Sequence, residues 1–380
     1  DEIVDFRDLP VYASYVTQVL STGAKLRNKL KWFNAISVNA TKEQIEAISQ
    51  FQFARLVKLV AGSKADIDIP IAPPALADEI MTTLNYGQSS IQLNQINAIS
   101  AHELGFKGQG ILICMMDVGF KQSHQAFQNI ISSGRLIAQY DFINHDFNTD
   151  FDTSQDPDGQ ADHGTVTWST LGGESSTHLY GPSYKANFIL AKTEVVSSER
   201  HIEEDNWAAA AQWADSIGAS VISSSLGYRV FDAGQGDYEY SDLDGNTTIV
   251  TQAADLAAYN GIAVCNAMGN QGNIPGSITA PADADSIISC GAVNPSGTIC
   301  DFSSWGPTYD DRTKPEVCAQ GEQTVCADPG NMNGYTYSSG TSLSTPLVGG
   351  ASGILLSAHP NWTNMMVREA LMMTATKTDS

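Results

Sequence analysis

Runs of apolar residues alternate with amphipathic stretches along most of the chain. From about residue 85 onward, four runs consist mainly of apolar and small residues, as is typical of strands buried on both faces of a sheet; they are residues 111–117, 186–192, 219–226 and 262–269. The stretches between them have apolar residues at helical spacing, in residues 165–171, 206–216 and 251–259. Strands that alternate with helices in this way predict an α/β fold in three layers, with a parallel sheet covered by helices on both faces.

The first sixty residues have a different pattern, which predicts a separate small α+β unit. Residues 10–20 have the apolar spacing of a helix, and residues 32–38 (WFNAISV) have the composition of a strand. Thr41, followed three residues later by Gln44, has the spacing of a capping box and predicts the start of a short helix. The run ARLVKLVA, residues 54–61, predicts a second strand.

A stretch rich in Pro, Gly and Asp follows this unit and predicts an exposed linker. Such a change of composition marks a domain boundary and a target for proteolysis. We therefore divide the chain into residues 1–62, a linker with a processing site in residues 63–84, and a large domain in residues 85–380.

Composition and charge exclude two classes of protein. The formal net charge is −22 at pH 7, whereas a nucleic-acid-binding protein needs Lys and Arg to displace counterions from phosphates. No apolar run reaches the roughly 18–20 residues that a membrane-spanning helix requires. The sequence therefore predicts neither a nucleic-acid partner nor a membrane span.

The cysteine pattern leaves one question open. None of the six cysteines has the spacing of a zinc site. Cys290 and Cys300 flank the turn-like sequence NPSG and could meet across a hairpin as a disulfide. Most of the cysteines lie in apolar runs, where a free thiol behaves as a small hydrophobic residue, so buried free thiols are the alternative.

Three short motifs at the ends of predicted elements carry the candidate chemistry. Asp117 ends an apolar strand, His163 opens the sequence HGTVTW before a helix, and Ser342 lies in SSGTSLSTP before another helix. Taken singly, these residues have ordinary roles in turns and helix caps. Together they supply a hydroxyl nucleophile, an imidazole base and a carboxylate that orients the imidazole, which are the groups that acyl transfer needs.

With these motifs in this order, from about Tyr86 to near the C-terminus, the sequence resembles the subtilase (subtilisin-like) family of serine proteases. The segments that begin at His163 and at Gly340 match the family's His and Ser motifs, including Pro346 four residues after the serine. The Asp motif differs from the family pattern in its middle residue, which is Val118. The resemblance implies a three-layer subtilisin-like catalytic domain and a serine endopeptidase that cleaves polypeptides with Asp117, His163 and Ser342.

The resemblance also implies further site residues. Asn270, in the segment Ala267-Met268-Gly269-Asn270, matches the asparagine that donates to the oxyanion beside the Ser342 backbone N–H. The resemblance assigns substrate binding to two short segments, with the residues Ser225, Leu226, Gly227, Ala267 and Gly269. It implies that no cofactor is required for the chemistry and that the enzyme is of a bacterial type, secreted or held at the cell surface or in the periplasm.

The N-terminal unit resembles a subtilase prodomain, with its Trp-Phe-Asn-Ala-Ile-Ser-Val run, amphipathic helix and final strand. The resemblance implies a small ferredoxin-like α+β domain whose first strand is missing, so that Asp1 begins partway through it. It also implies an intramolecular inhibitor, which packs on the catalytic domain and lays its tail in the active-site cleft until autocleavage between residues 61 and 85.

Several alternatives remain at this stage. Residues 242–246 and residues 150–162, which hold five aspartates, are either structural calcium loops or solvated turns. A latent zymogen would carry the same motifs as an active enzyme. A binding or scaffold module would be expected to lack a triad residue, a sedolisin-type protease would lack the His, and an α/β-hydrolase would need a G-x-S-x-G motif that no serine here has.

Overall fold

The computed structural model describes residues 6–58, 60, 62–63, 84–272 and 274–377. The helices are α1 (Ala13–Leu20), α2 (Lys42–Ser49), α3 (Ser90–Gln95), α4 (Ala98–Glu103), α5 (Gln128–Ser132), α6 (Asp162–Gly172), α7 (His201–Ile217), α8 (Ile249–Tyr259), α9 (Thr341–Ala358) and α10 (Asn364–Thr374). The strands are β1 (Lys25–Leu30), β2 (Ala35–Asn39), β3 (Gly62–Ser63), β4 (Leu112–Asp117), β5 (Leu136–Asp141), β6 (Glu174–Ser175), β7 (Leu179–Tyr180), β8 (Asn187–Lys192), β9 (Glu199–Arg200), β10 (Val221–Ser224), β11 (Ala263–Ala267), β12 (Ile288–Val293), β13 (Val317–Gln320), β14 (Thr324–Ala327) and β15 (Tyr335–Ser338).

Seven parallel strands form the central sheet, in the order β13-β12-β11-β10-β4-β8-β5. The chain runs from β4 to the edge strand β5, returns to β8, and then crosses to β10 on the other side of β4. The carboxyl end of β4 therefore lies where the winding direction reverses, which is the position at which α/β sheets open a crevice for ligands.

Alternate residues of the strands face opposite helix layers. Cys114 and Met116 of β4 pack in one apolar cluster with helices α7 and α8. Ile113 and Met115 pack in a second cluster, on the side of α6 and α9. Both faces of the sheet are thus buried, which explains why its strands are nearly continuous apolar runs and confirms the predicted three-layer α/β fold.

The N-terminal unit consists of α1, the antiparallel pair of β1 and β2, and α2. The predicted capping box is present at the start of α2. The hydroxyl of Thr41 accepts from the Gln44 N–H at 3.4 Å, and the Thr41 N–H donates to Gln44 Oε1 at 2.8 Å.

Two sequence predictions for this unit need correction, and one strand was not predicted. Trp32 and Phe33 form a short 3₁₀ turn that Asn34 ends in the left-handed region (φ 46°), so the strand begins only at Ala35. Residues 54–58 have no regular structure, and Leu56 is exposed; β-propensity alone does not form a strand without a hydrogen-bonding partner. Strand β1 was not predicted because its sequence, KLRNKL, is rich in charged residues, and its Leu30 is buried against the large domain.

The N-terminal unit docks on α7 of the large domain. The side chains of Leu30 and Trp32 are buried in the same apolar cluster as α7 and α8. The Asn28 side-chain amide donates to Asn206 Oδ1 at 2.8 Å, and the Trp32 backbone N–H donates to Gln212 Oε1 at 3.3 Å. The unit therefore shares the core of the domain on which it rests.

The predicted linker, residues 63–84, lies outside the described residues except at its two ends. Among the helices that the structure describes, none is long and apolar enough to cross a membrane.

All six cysteines are free thiols. The hairpin after β12 does form, but the Cys300 N–H donates to the Ala292 carbonyl at 3.0 Å. This register places Ala292, and not Cys290, opposite Cys300. The disulfide alternative is therefore wrong, and the thiols are nearly all buried.

Candidate active site

Asp117 is the last residue of β4, and its carboxylate is fully buried. Its Oδ1 lies 2.7 Å from His163 Nδ1 and accepts from the Val118 N–H at 2.8 Å. Its Oδ2 accepts from the Thr167 hydroxyl at 2.8 Å. Three groups thus hold the carboxylate in one orientation, and hydrogen bonds of this kind compensate the cost of burying it.

His163 lies in the first turn of α6, which packs against the end of β4. A Cβ atom on the next residue, Gly164, would lie 2.1 Å from the Gly119 carbonyl oxygen and 3.0 Å from the Asp117 Cβ. Only glycine therefore lets α6 approach closely enough to bring the imidazole to the carboxylate. The His163 side chain remains partly exposed, so its ring borders the crevice.

Ser342 is the second residue of α9, at the end of the helix where backbone N–H groups have no intrahelical acceptor. Its side chain is buried, and its hydroxyl makes a long contact of 3.4 Å to the Ser225 carbonyl oxygen. The positive end of the helix dipole at this position favours a developing negative charge.

The proline of the serine motif has a structural consequence. Pro346 lies inside α9 and has no N–H to donate to the carbonyl of Ser342, four residues earlier. The hydroxyl of Ser225 donates to that carbonyl instead, at 2.9 Å. Ser225 therefore connects the end of β10 to the start of α9.

Asn270 lies on the other side of the α9 N-terminus. Its Oδ1 accepts from both the backbone N–H and the hydroxyl of Thr341, at 2.9 and 3.1 Å. These two bonds fix the side-chain amide next to Ser342. The amide nitrogen is the donor end of the same group.

The five predicted substrate-binding residues line two neighbouring segments. Ser225, Leu226 and Gly227 continue from β10, while Ala267 and Gly269 lie at and just beyond the end of β11, its parallel neighbour. The Asn266 side-chain amide donates to the Leu226 carbonyl at 3.0 Å and joins the two segments. Both segments reach the N-terminus of α9, through Ser225 and through a bond from the Gly269 N–H to the Thr341 hydroxyl at 3.2 Å.

A strand from the N-terminal unit reaches the same edge of the large domain. Residues Gly62–Ser63 (β3) pair antiparallel with Glu199–Arg200 (β9). The segment that carries β9 follows directly after β8. It starts beside Asp117, because the Thr193 N–H donates to the Asp117 carbonyl at 3.0 Å. A piece of the chain's own N-terminal region thus runs along this edge as an extended peptide.

An acidic cluster includes Glu199 of β9 and two residues near it in the chain, and the sequence analysis did not single it out. Glu194, Glu199 and Glu203 each place one carboxylate oxygen within 4.8 Å of the others, close enough to hold a metal ion together. Burial, followed by repulsion from neighbouring carboxylates, raises the pKa of both Glu199 and Glu203 well above the ordinary value of a glutamate. Glu203 also accepts from the backbone N–H groups of Val195 and Arg200 and thereby shapes the loop.

The two acidic loops that were candidate calcium sites bond largely to their own chain. Asp244 accepts from the backbone N–H groups of Asn246 and Thr247, each at 2.8 Å, ahead of α8. In the second loop, Asp156 pairs with the buried Lys192 at 2.5 Å. These bonds describe the geometry of the loops; calcium binding stays a prediction.

The structure thus brings Asn270 and the predicted substrate-binding segments to the N-terminus of α9. The helix that carries His163 packs against the same end of α9 through Val166 and Leu343. The sequence analysis missed Thr167, whose position four residues after His163 on one helix is a weak signal for a shared role. It also did not indicate that Thr279 packs against both predicted substrate-binding segments. Nothing in the local sequence of Thr279 connects it with either segment.

Comparison with known proteins identifies relatives for both parts of the chain. The model of the subtilase family matches residues 108–380. The model of the peptidase S8 propeptide domain of Bacteroidota matches residues 2–69. Together the two models cover most of the chain.

Individual relatives agree with the family models. Subtilisin E of Bacillus subtilis (strain 168) is 27% identical over 358 residues, which cover 93% of this chain and 78% of that protein. Subtilisin DY of Bacillus licheniformis is 28% identical over 297 residues, 77% of this chain and 92% of that protein. The crystal structure of a cold-adapted subtilisin-like serine proteinase matches with a TM-score of 0.54 and 25% identity, over 71% of this chain and 84% of that one. A protease from Pseudoalteromonas arctica shares the fold at a TM-score of 0.60 and 18% identity, over 78% and 93% of the two chains.

Proposed function

This chain belongs to the subtilase family of serine proteases and carries a propeptide domain, and we propose that it is an endopeptidase with the triad Asp117, His163 and Ser342. Ser342 attacks the carbonyl carbon of a peptide bond, and His163 takes the proton of its hydroxyl. His163 then gives this proton to the amide nitrogen as the C–N bond breaks, so that the amine product leaves and the acyl-enzyme remains. Water, with His163 as the base again, hydrolyses the acyl-enzyme and releases Ser342 and the carboxylic acid product.

The bond of 2.7 Å between His163 Nδ1 and Asp117 Oδ1 is the observation that carries the proposal. Because the carboxylate is an acceptor, the ring proton lies on Nδ1, and Nε2 is left with the lone pair that a base needs. The buried carboxylate also stabilises the imidazolium that forms when His163 takes the serine proton.

Two hydrogen-bond donors stabilise the negative charge on the oxygen of the tetrahedral intermediate. One is the Ser342 N–H at the start of α9, and the other is the side-chain amide of Asn270, which Thr341 holds by its oxygen. In a subtilisin, loss of one such donor lowers kcat by about 10²–10³-fold, and the same order is expected here. The proposal requires no cofactor, because these groups supply the base, the nucleophile and the oxyanion donors.

We further propose that the enzyme is made as a zymogen that its own prodomain inhibits. The pairing of β3 with β9 supports this, because an extended peptide in that position competes with a substrate for the same edge. The burial of Leu30 and Trp32 against α7 supports a stable complex. A prodomain that delays activity suits an enzyme exported from a bacterial cell, and we propose a secreted or cell-surface location on that ground.

Intact-mass analysis before and after treatment with a fluorophosphonate tests the proposal. We expect one adduct on the processed enzyme, located at Ser342 by peptide mapping, and none on the Ser342→Ala variant. A full-length chain without an adduct indicates a latent zymogen. A chain that has lost residues 1–62 and still forms no adduct contradicts the proposed activity.

A further inference from the structure

The chain between β8 and α7 folds so that three carboxyl groups meet. Glu194 lies just after the end of β8, Glu199 lies in β9, and Glu203 lies in the first turn of α7. One carboxylate oxygen of each residue lies within 4.8 Å of the other two. Glu194 and Glu203 are buried, and Glu199 is partly buried. Three successive elements thus present acidic groups to one point, which is largely shielded from water.

These three carboxyl groups have no basic partner. Among the residues that the structure describes, no Lys, Arg or His side chain forms an ion pair with any of them. Their neighbour Glu204, in contrast, pairs with His201 at 2.6 Å. Burial, followed by repulsion from neighbouring carboxylates, raises the pKa of all three groups. In the ionised form they therefore need a cation to compensate their charge.

A hydroxyl beside Glu194 is also without a partner. The Thr193 side chain is fully buried, and its Oγ1 is directed at the Glu194 carboxylate. It does not reach hydrogen-bond geometry with that carboxylate or with any other group in the described part of the chain. A buried hydroxyl that is left unsatisfied is costly and uncommon. A cation bound by Glu194 would give this oxygen a use, and the observation is independent of the carboxylates.

The hydrogen bonds within the loop leave the carboxylates able to bind an ion. Glu194 Oε1 accepts from the Tyr228 hydroxyl, and the Glu203 carboxylate accepts from two backbone N–H groups. These bonds fix the two side chains in place. No described group donates a hydrogen bond to the Glu199 side chain. Because an ionised carboxylate offers about four lone pairs, each of the three retains acceptor positions for a metal.

We propose that Glu194, Glu199 and Glu203, with the Thr193 hydroxyl, form a calcium site that fixes β9 against the start of α7. All of these ligands are oxygens, and Ca²⁺ binds oxygens at about 2.3–2.6 Å, so that one ion bridges oxygens up to about 5 Å apart. Mg²⁺ requires about 2.0–2.1 Å and a stricter octahedron. The site is separate from the two candidate calcium loops in residues 150–162 and 242–246. Because β9 pairs with β3, the ion would also stabilise the strand against which the N-terminal unit lies.

Calorimetric titration of the full-length Ser342→Ala protein with Ca²⁺, after treatment with a chelator, tests the inference without self-digestion. In Glu199→Gln, we expect one site to lose its Ca²⁺ or to weaken by at least the roughly 10–100-fold that loss of a supporting group costs. Glu199→Gln removes no hydrogen bond within the described chain, and Glu203→Gln is the second variant. Glu204→Gln is the matched control, because it removes one charge from the same turn of α7 but from a residue that pairs with His201. We expect the control to keep the parent number of sites.

Hydrogen exchange locates the ion in the chain. The N–H groups of Val195 and Arg200 donate to Glu203. We expect Ca²⁺ to slow exchange in residues 193–203 in the parent and in Glu204→Gln, and to have no such effect in Glu199→Gln. In the parent, Mg²⁺ at the same concentration should slow this exchange less than Ca²⁺ does.

Three results would overturn the inference, and none of them bears on the proposed protease activity. The first is a parent protein with no Ca²⁺ site of dissociation constant below about 1 mM, the weak end of the range for calcium-binding modules. The second is an unchanged number and affinity of sites in both Glu199→Gln and Glu203→Gln. The third is an equal loss in Glu204→Gln, which would mean that the general negative charge of this region binds the ion.

Discussion

The hydroxyl of Thr167 contacts Asp117 and can be removed without a substitution in the proposed triad. It donates to Asp117 Oδ2 from one turn beyond His163 on α6. In Thr167→Val, one oxygen of a fully buried carboxylate loses its donor, which costs on the order of 1–3 kcal/mol. We expect a lower kcat with little change in KM, because the carboxylate orients His163 and does not contact the substrate.

Thr170→Val is the control for that experiment. Thr170 lies on the same helix and is equally buried, but its hydroxyl donates to the Val166 carbonyl and not to Asp117. We expect its kcat to stay close to that of the parent enzyme. Equal losses of kcat in the two variants would mean that Thr167 acts only through the stability of α6.

His102 gives the domain a predictable sensitivity to acid. Its ring is buried between the Tyr86 hydroxyl, at 3.0 Å from Nδ1, and the Pro182 carbonyl, at 2.7 Å from Nε2. Burial lowers the pKa of His102 from 6.5 to about 4. Because the folded state favours the neutral ring, His102 does not reduce the free energy of unfolding above pH 6.5. Below pH 6.5 the unfolded chain takes up the proton first, and the free energy of unfolding falls as the pH decreases toward about 4. The loss amounts to about 3 kcal/mol when the shift is fully expressed.

Urea unfolding of the Ser342→Ala protein at a series of pH values measures this dependence without self-digestion. In a His102→Gln background, which retains polar groups that do not titrate, we expect the dependence between these pH values to become shallower. If the slope of unfolding free energy against pH is the same in both backgrounds, other groups cause the acid sensitivity.

At the scale of elements, the start of α9 depends on a hydrogen bond from another element. Pro346 removes the N–H that would satisfy the Ser342 carbonyl, and the Ser225 hydroxyl after β10 replaces it at 2.9 Å. Ser225→Ala should therefore lower the free energy of unfolding by about 1–3 kcal/mol, because a buried carbonyl loses its partner.

A double-mutant cycle tests this explanation. Pro346→Ala restores the backbone N–H, and Ser225→Ala should cost less in that background than in the parent. Measured by urea unfolding in the Ser342→Ala protein, additive losses would show that the hydroxyl and the proline are not coupled.

The sequence predicted the elements whose own residues show, by their apolar composition, that the element is buried. The strand that ends in Asp117 is buried on both faces, and its apolar run marks it clearly. By contrast, β1 is a charged sequence that is covered on one side by α7. Residues 54–58 include the apolar residues Leu56 and Val57 only as part of a mixed sequence and have no partner strand. The local sequence pattern of a strand does not show which surface of another domain the strand will pack against.

The same limit applies to the site. Motifs drew attention to Asp117, His163 and Ser342 because each of these residues lies in a short, recognisable stretch of chain. Thr279 is set apart by its contact with Gly227 and Gly269, more than fifty and about ten positions away in the chain. Such a contact exists only after the sheet has formed, and no spacing in one sequence indicates it.

For the whole molecule, the N-terminal unit is attached to the large domain through an apolar contact in which Trp32 is the largest buried side chain. Trp32 is buried in the core cluster of the large domain, while polar bonds from Asn28 and from the Trp32 backbone surround it. Polar contacts of this kind fix the orientation of two surfaces, and the large buried side chain supplies most of the free energy of association. The duration of latency should therefore depend on Trp32.

In Trp32→Ala, we expect the prodomain to dissociate faster once the linker is cut, because truncation of a buried Trp costs about 3–5 kcal/mol. The measurement is the lag before peptide hydrolysis begins after purification of the full-length chain, together with the mass of the chain over time. Tyr12→Ala is the control, since Tyr12 belongs to the same unit but is 62% exposed. We expect a shorter lag in Trp32→Ala only. A lag that is unchanged in that variant, while the linker is cut at the parent rate, would place the inhibition in the pairing of β3 with β9 and not in the docking on α7.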